Sequence, residues 1–332
     1  MLVTFYYIEL TAEDVMSEKK RESNFELLRI VAMLMIIFHH ICQHTPNSVL
    51  VTGTFDPNKL DSWLSFIHLG FRWIGTSANY CFMLISGWFL SKSAFTWKKW
   101  LLLYAEYWFY SVAVGAVMFL LGESSKPELL KCLAPMCFSG NWYLRAYLIF
   151  FLFLPFLNKL LPALTRREHF WLCVLLLFVG HVFTKTPFFT GNITFGFFTS
   201  FFFASYIRTY KPTVFDNQAR NTFILVLLVC VSLARSLFVK TVGEMIPAVF
   251  QKRSSFYTSC IGFIGFPTAL FLFAIFKNLK MPSIKVINVL ASTTLGVYLI
   301  HEHQNTRVFF GTSFSSSTRL RRTTSSSFAR QP

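Results

Sequence analysis

Arg29 and His40 lie within FELLRIVAMLMIIFHHICQH (25–44), a stretch otherwise apolar enough to dissolve in hydrocarbon. Ionisable side chains are costly in such a place, so each asks for a use. On a helix, eleven residues turn through about 1100°, three turns plus about 20°, so the two side chains share a face about 16 Å apart along the axis. His39 points about 80° away from that face. Glu26, one turn before Arg29, is placed to orient the guanidinium as an i, i+3 pair. A neutral imidazole can take a proton from a hydroxyl nucleophile, and an arginine at the other end of the face suits the phosphates of a charged donor. The blander reading has Arg29 reaching to a membrane interface and His40 satisfied between helices. His40 and His44 stand at i, i+4, a spacing that can hold zinc. No acidic third ligand accompanies them in sequence, so no metal is expected.

The elements that must position these residues are long and apolar. Of 332 residues, 54% are hydrophobic and 14% are charged, with a mean hydropathy of +0.50. A soluble domain carries about 25% charge. Apolar runs of around 20 residues recur between short polar breaks, the pattern of an all-α, polytopic integral membrane protein. About nine transmembrane helices are expected, at 25–43, 70–90, 100–121, 142–162, 168–184, 193–209, 221–239, 256–276 and 287–301. With the N-terminus cytoplasmic, each inside segment carries three Lys or Arg, the first being Lys19, Lys20 and Arg21, and the outside loops carry fewer. Membrane orientation therefore accounts for the net charge of +16, and no nucleic-acid partner is expected. Residues 1–20 read as a cytoplasmic segment, the first fifteen lying upstream of a natural start at Met16. Residues 21–307 read as the membrane domain, and 308–332 as a Ser/Arg-rich tail, disordered or frameshifted. Cys132 and Cys137 share a loop and are open to a disulfide if that loop is external.

The element Arg29–IVAMLMIIFH–His40 resembles the signature that opens the first helix of membrane acyltransferase family 3. Three more stretches support the resemblance, each in its place. CFMLISGWFL (81–90) is similar to the family's SGxxL element, NWYLRAYLIFFLFLPFLN (141–158) to its Trp-led central helix, and STTLGVYLIHEHQNTR (292–307) to its Gly-x-Tyr-Leu-Ile-His close. The resemblance covers about residues 21–307. It implies an O-acyltransferase that moves an acyl group, commonly acetyl, from cytoplasmic acyl-CoA to a hydroxyl of a cell-surface or exported glycan. Acetyl-CoA would be the donor, with no metal. The partners would be membrane lipid and a glycan or lipid-linked saccharide acceptor, and the location a bacterial cytoplasmic (inner) membrane. His40 would be the base and Arg29 a donor contact. Where some members carry paired arginines near the third span, this chain has Lys98 and Lys99. The family has about ten spans, one more than is read here. Two alternatives stand beside it: a lipid-linked saccharide transporter or flippase, and a C-terminally damaged, inactive member. The R-x10-H element occurs once and no internal repeat is evident, which disfavours the transporter.

Further substrate-binding candidates are weighed against structural roles. Glu106, inside the third span, calls for a partner such as Arg72 or Arg145. Trp142 and Tyr143, with Arg145 close behind, form either an interface anchor or a sugar-stacking platform. Tyr298 and His301 close the ninth span, where His301 is placed to meet the acceptor or to be solvated. Ser86–Gly87 is read as a close-packing point between helices.

Overall fold

The structure is a computed structural model that describes residues 21–43, 73–138, 141–182, 193–245, 264–304 and 306. The N-terminal segment, the Ser/Arg tail, His44 and Arg72 lie outside the described residues. All regular structure among the described residues is helical. In chain order the helices are α1 Ser23–Gln43, α2 Trp73–Leu90, α3 Trp97–Leu120, α4 Lys126–Lys131, α5 Pro135–Phe138 and α6 Trp142–Leu160. They continue as α7 Arg166–Val182, α8 Ile193–Tyr210, α9 Gln218–Met245, α10 Ile264–Lys277, α11 Lys285–Ser292 and α12 Thr294–His301.

In their described parts the expected spans fall on helix except at Leu121 and Thr293. Ser23–His40, Trp97–Leu120 and Trp142–Ala163 are each long and apolar enough to cross a membrane, whereas Gln218–Ala234 and Ile264–Lys277 are apolar but shorter. Large apolar side chains cover the outside, among them Trp97, Leu120, Phe156, Trp171, Phe223 and Val286. An apolar exterior over a packed interior suits a hydrocarbon solvent rather than water.

Two clusters form the interior. Phe25, Leu28, Ala32 and Ile36 of α1 pack with Ala78, Cys81 and Ile85 of α2 and with Phe266, Ala269 and Phe273 of α10. Leu103 and Tyr107 of α3, Leu144, Leu148, Phe151 and Leu154 of α6, Phe197 and Phe201 of α8 and Leu295, Tyr298 and Leu299 of α12 contribute to the second. Helix α2 lies against both α1 and α8. Gly87 allows the second contact, because a Cβ there would come within 2.7 Å of the Phe201 Cα and 3.1 Å of the Ser200 carbonyl oxygen. Packing at the Ser86–Gly87 step is thus seen directly.

The ninth span is not one helix. It breaks at Thr293 into two helices of eight residues each. Ser292, Thr293 and Thr294 donate their hydroxyls to the carbonyls of Val289, Leu290 and Ala291, at 2.7, 2.8 and 2.8 Å. Side chains thereby satisfy the last carbonyls of α11, and the backbone is released from the helical ladder. An eight-residue helix is about 12 Å long, too short to cross a bilayer alone. Before the break α11 packs on α1, and beyond it α12 contacts both α1 and α3. Cys132 and Cys137 are free thiols, Cys132 buried and Cys137 exposed, so the disulfide left open by the sequence is not formed.

Candidate active site

His40 lies near the end of α1, His301 is the last residue of α12 and Glu302 is its C-cap. For neutral imidazoles, the hydrogen bonds of His301 and His40 select the tautomers. His301 Nδ1 is 2.8 Å from the Val297 carbonyl oxygen, which can only accept, so Nδ1 carries the proton and Nε2 holds a lone pair. His40 Nδ1 is 3.0 Å from that Nε2 and must donate to it. The same His40 Nδ1 is 3.1 Å from Glu302 Oε1, on a carboxylate only 2% exposed. In the neutral imidazole this leaves His40 Nε2 as the unprotonated nitrogen. A buried carboxylate beside Nδ1 would also stabilise the imidazolium that forms when Nε2 takes a proton, the role an acid plays behind a catalytic histidine elsewhere.

His303 holds this end of α12 in place. Its Nε2 lies 3.2 Å from the Ser111 carbonyl of α3 and 3.7 Å from Cys132 Sγ just past α4. The Glu302 backbone N–H donates to Tyr298 O at 3.0 Å.

At the far end of the same face of α1, Arg29 Nη1 meets both Glu26 carboxylate oxygens, at 3.1 and 3.3 Å. Both side chains are largely shielded, at 12% and 11% exposure. Positions 29, 33, 36 and 40 follow the i, i+4, i+7, i+11 stripe of one helix face. A pocket opens on the middle of that stripe. Met33 and Ile36 line it from α1, Asn79 and Phe82 from α2, Tyr143 from α6, and Thr294, Leu295 and Tyr298 from α12.

Two tyrosines tie the ends of the face together. Tyr143 is buried and lies close enough to Arg29 for the guanidinium charge to act on its hydroxyl. Its ring packs edge-on against Phe82 at 6.4 Å and Tyr298 at 5.9 Å. Tyr298 in turn packs edge-on against His301 at 5.9 Å.

Of the candidates, Tyr143 and Tyr298 line this pocket, Arg29 paired with Glu26 and His40 stand at the two ends of its α1 stripe, and His301 touches His40. The other three candidates are Trp142, Arg145 and Glu106. Trp142 packs edge-on behind Tyr143 at 5.8 Å. Arg145 is half-buried one turn on and is not paired with Glu106, while Arg72, the other partner weighed for that acid, lies outside the described residues. Glu106 lies within electrostatic reach of Tyr110, whose hydroxyl sits 2.7 Å from where a Cβ on Gly296 would be.

Glu302 and Asn79 were not singled out from the sequence. A signal for Glu302 existed in YLIHEH (298–303), an acid between two histidines directly after an apolar run. The ligand-capable atoms of His40, His301 and Glu302 all lie within 4.8 Å of one another. The acidic third group that is missing near His40 in sequence therefore comes from the opposite end of the chain. The model of membrane acyltransferase family 3, described as an acyltransferase domain, matches residues 22–317. No curated protein and no solved structure gives a match.

Proposed function

Because the chain belongs to membrane acyltransferase family 3, we propose that this acyltransferase moves an acyl group, acetyl in the first instance, from coenzyme A to a hydroxyl of a cell-surface or exported glycan. The observation that carries the assignment is the fixing of His40 Nδ1 between His301 Nε2 and Glu302 Oε1, beside a pocket on the Arg29–His40 face. In this reading nine spans cross a bacterial cytoplasmic membrane with the N-terminus inside, which puts Arg29 at the cytoplasmic mouth and His40 deeper in the bundle.

The donor's phosphates meet Arg29, and its acyl-pantetheine arm runs along the Met33–Ile36 stripe to bring the thioester carbonyl to His40. His40 Nε2 takes the proton of the acceptor hydroxyl as its oxygen attacks that carbonyl carbon. Glu302 and His301 hold the imidazolium in register. The tetrahedral intermediate collapses with cleavage of the carbon–sulfur bond, and the departing thiolate recovers the proton from His40. Ester and free coenzyme A result, with no net change in the enzyme. The pocket's apolar walls strengthen the electrostatics by excluding water.

The test is transfer of radiolabel from acetyl-CoA to envelope glycan in membranes expressing the chain or His40→Ala. Base-labile label is expected with the wild-type chain alone. Equal label from both would overturn the assignment of His40.

A further inference from the structure

His40 Nδ1, His301 Nε2 and Glu302 Oε1 converge more tightly than a proton relay requires. The first pair is 3.0 Å apart and His40 Nδ1 is 3.1 Å from the carboxylate, with all three atoms within 4.8 Å. Zinc holds nitrogen and oxygen ligands at about 2.0–2.2 Å, which sets tetrahedral neighbours about 3.4 Å apart. The two His40 contacts would open by a few tenths of an ångström, and the His301–Glu302 edge, within 4.8 Å, would settle near the same spacing to hold an ion. Two imidazoles and one carboxylate suit zinc better than calcium or magnesium, which prefer all-oxygen shells, or copper(I), which prefers sulfur.

Two further observations point to a ligand set. His301 already donates its Nδ1–H to the Val297 carbonyl at 2.8 Å, the outer bond that metal-binding histidines make to aim the other nitrogen at the ion. Glu302 is almost wholly buried, where a carboxylate gains from a cation, while His40 keeps 20% exposure and leaves a way in.

We propose that His40, His301 and Glu302 form a zinc site whose occupancy switches the acyltransferase off. Zinc at His40 Nδ1 selects the tautomer with its proton on Nε2. That nitrogen then has no lone pair to take the hydroxyl proton. The inhibition rests on the base assignment made above; the site itself does not.

The experiment uses the full chain, purified in detergent, stripped with chelator and titrated with cobalt(II) as a visible stand-in, followed by zinc. Expected is one cobalt per chain with the intense absorption of a four-coordinate ion, displaced by zinc. Glu302→Gln and His301→Ala should weaken binding by at least about tenfold. His39→Ala should leave it intact, since His39 lies against Gly75 and outside the cluster. Should His301→Ala fail to fold by circular dichroism, Glu302→Gln decides, because it keeps the side chain's volume.

Absence of saturable binding, or wild-type affinity in folded Glu302→Gln, would overturn the site. In the label-transfer assay, zinc should suppress the rate and chelator should restore it. Zinc bound at the cluster with transfer unaffected would overturn the switch. Zinc bound with no transfer by chelator-treated wild type would overturn the acyl-transfer reading and leave the zinc site standing.

Discussion

At the scale of the residue, His40 is expected to act as the base, with Glu302 and His301 as positioning groups behind it. His40→Ala should lower turnover by about 10²–10⁴-fold, the range for losing a general base. Glu302→Gln should lower kcat while leaving KM for acyl-CoA near its wild-type value, because the carboxylate faces Nδ1 and not the donor. A rise in KM with kcat preserved would assign Glu302 to binding instead. Arg29→Gln should show the opposite split, a raised KM for acyl-CoA with kcat largely kept, as expected for a phosphate contact at the mouth.

Among the elements, two features carry the architecture. Gly87 lets α2 and α8 touch backbone to backbone, since even a methyl group would come within 2.7 Å of a Cα. Gly87→Val should destabilise the fold by about 1–3 kcal/mol or more through overpacking, read as a lowered midpoint in thermal unfolding in detergent. Outside the membrane-spanning segments, α4 opens with Ser125 and Glu128 in a capping box. The Ser125 backbone N–H and hydroxyl, 2.6 and 2.8 Å from Glu128 Oε2, hold that carboxyl below its usual range. A lowered carboxylate contributes its stabilisation above the ordinary value and loses it as pH falls through the depressed one. Amide exchange across 126–131, corrected for intrinsic rates, should accelerate in acid and be insensitive to pH near neutrality. Ser125→Ala should remove that dependence.

For the whole molecule, the orientation read from the Lys and Arg distribution places the 121–141 connection outside. Cys137 is exposed on it and Cys132 is buried, so the protein carries its own topology probe. With Cys137 as the sole cysteine, an impermeant maleimide should label intact cells. Labelling only after permeabilisation would reverse the orientation. The same scale explains why Arg29 and His40 could be paired early while Glu302 could not. Helical geometry links positions 29 and 40 within one element, whereas His40 and Glu302 are 262 residues apart and meet only through the packing of α12 on α1 and α3.

The sequence by itself determined what depends on local composition and period: helical class, apolar spans, the shared face of Arg29 and His40, and the family. Hydropathy and a 100° turn per residue act over neighbours, so they can be read without coordinates. Tertiary structure decided what depends on distant segments. The hydroxyls of Ser292, Thr293 and Thr294 bond back to carbonyls and break an apolar run that hydropathy alone reads as continuous. Beyond the break, α12 packs on α1 and α3, with His301 and Glu302 against His40 and Tyr298 lining the pocket. Glu106 and Arg145, both ionisable and both inside apolar runs, look as promising in sequence as His301 does. Only packing separates them, because it places His301 against His40 Nδ1.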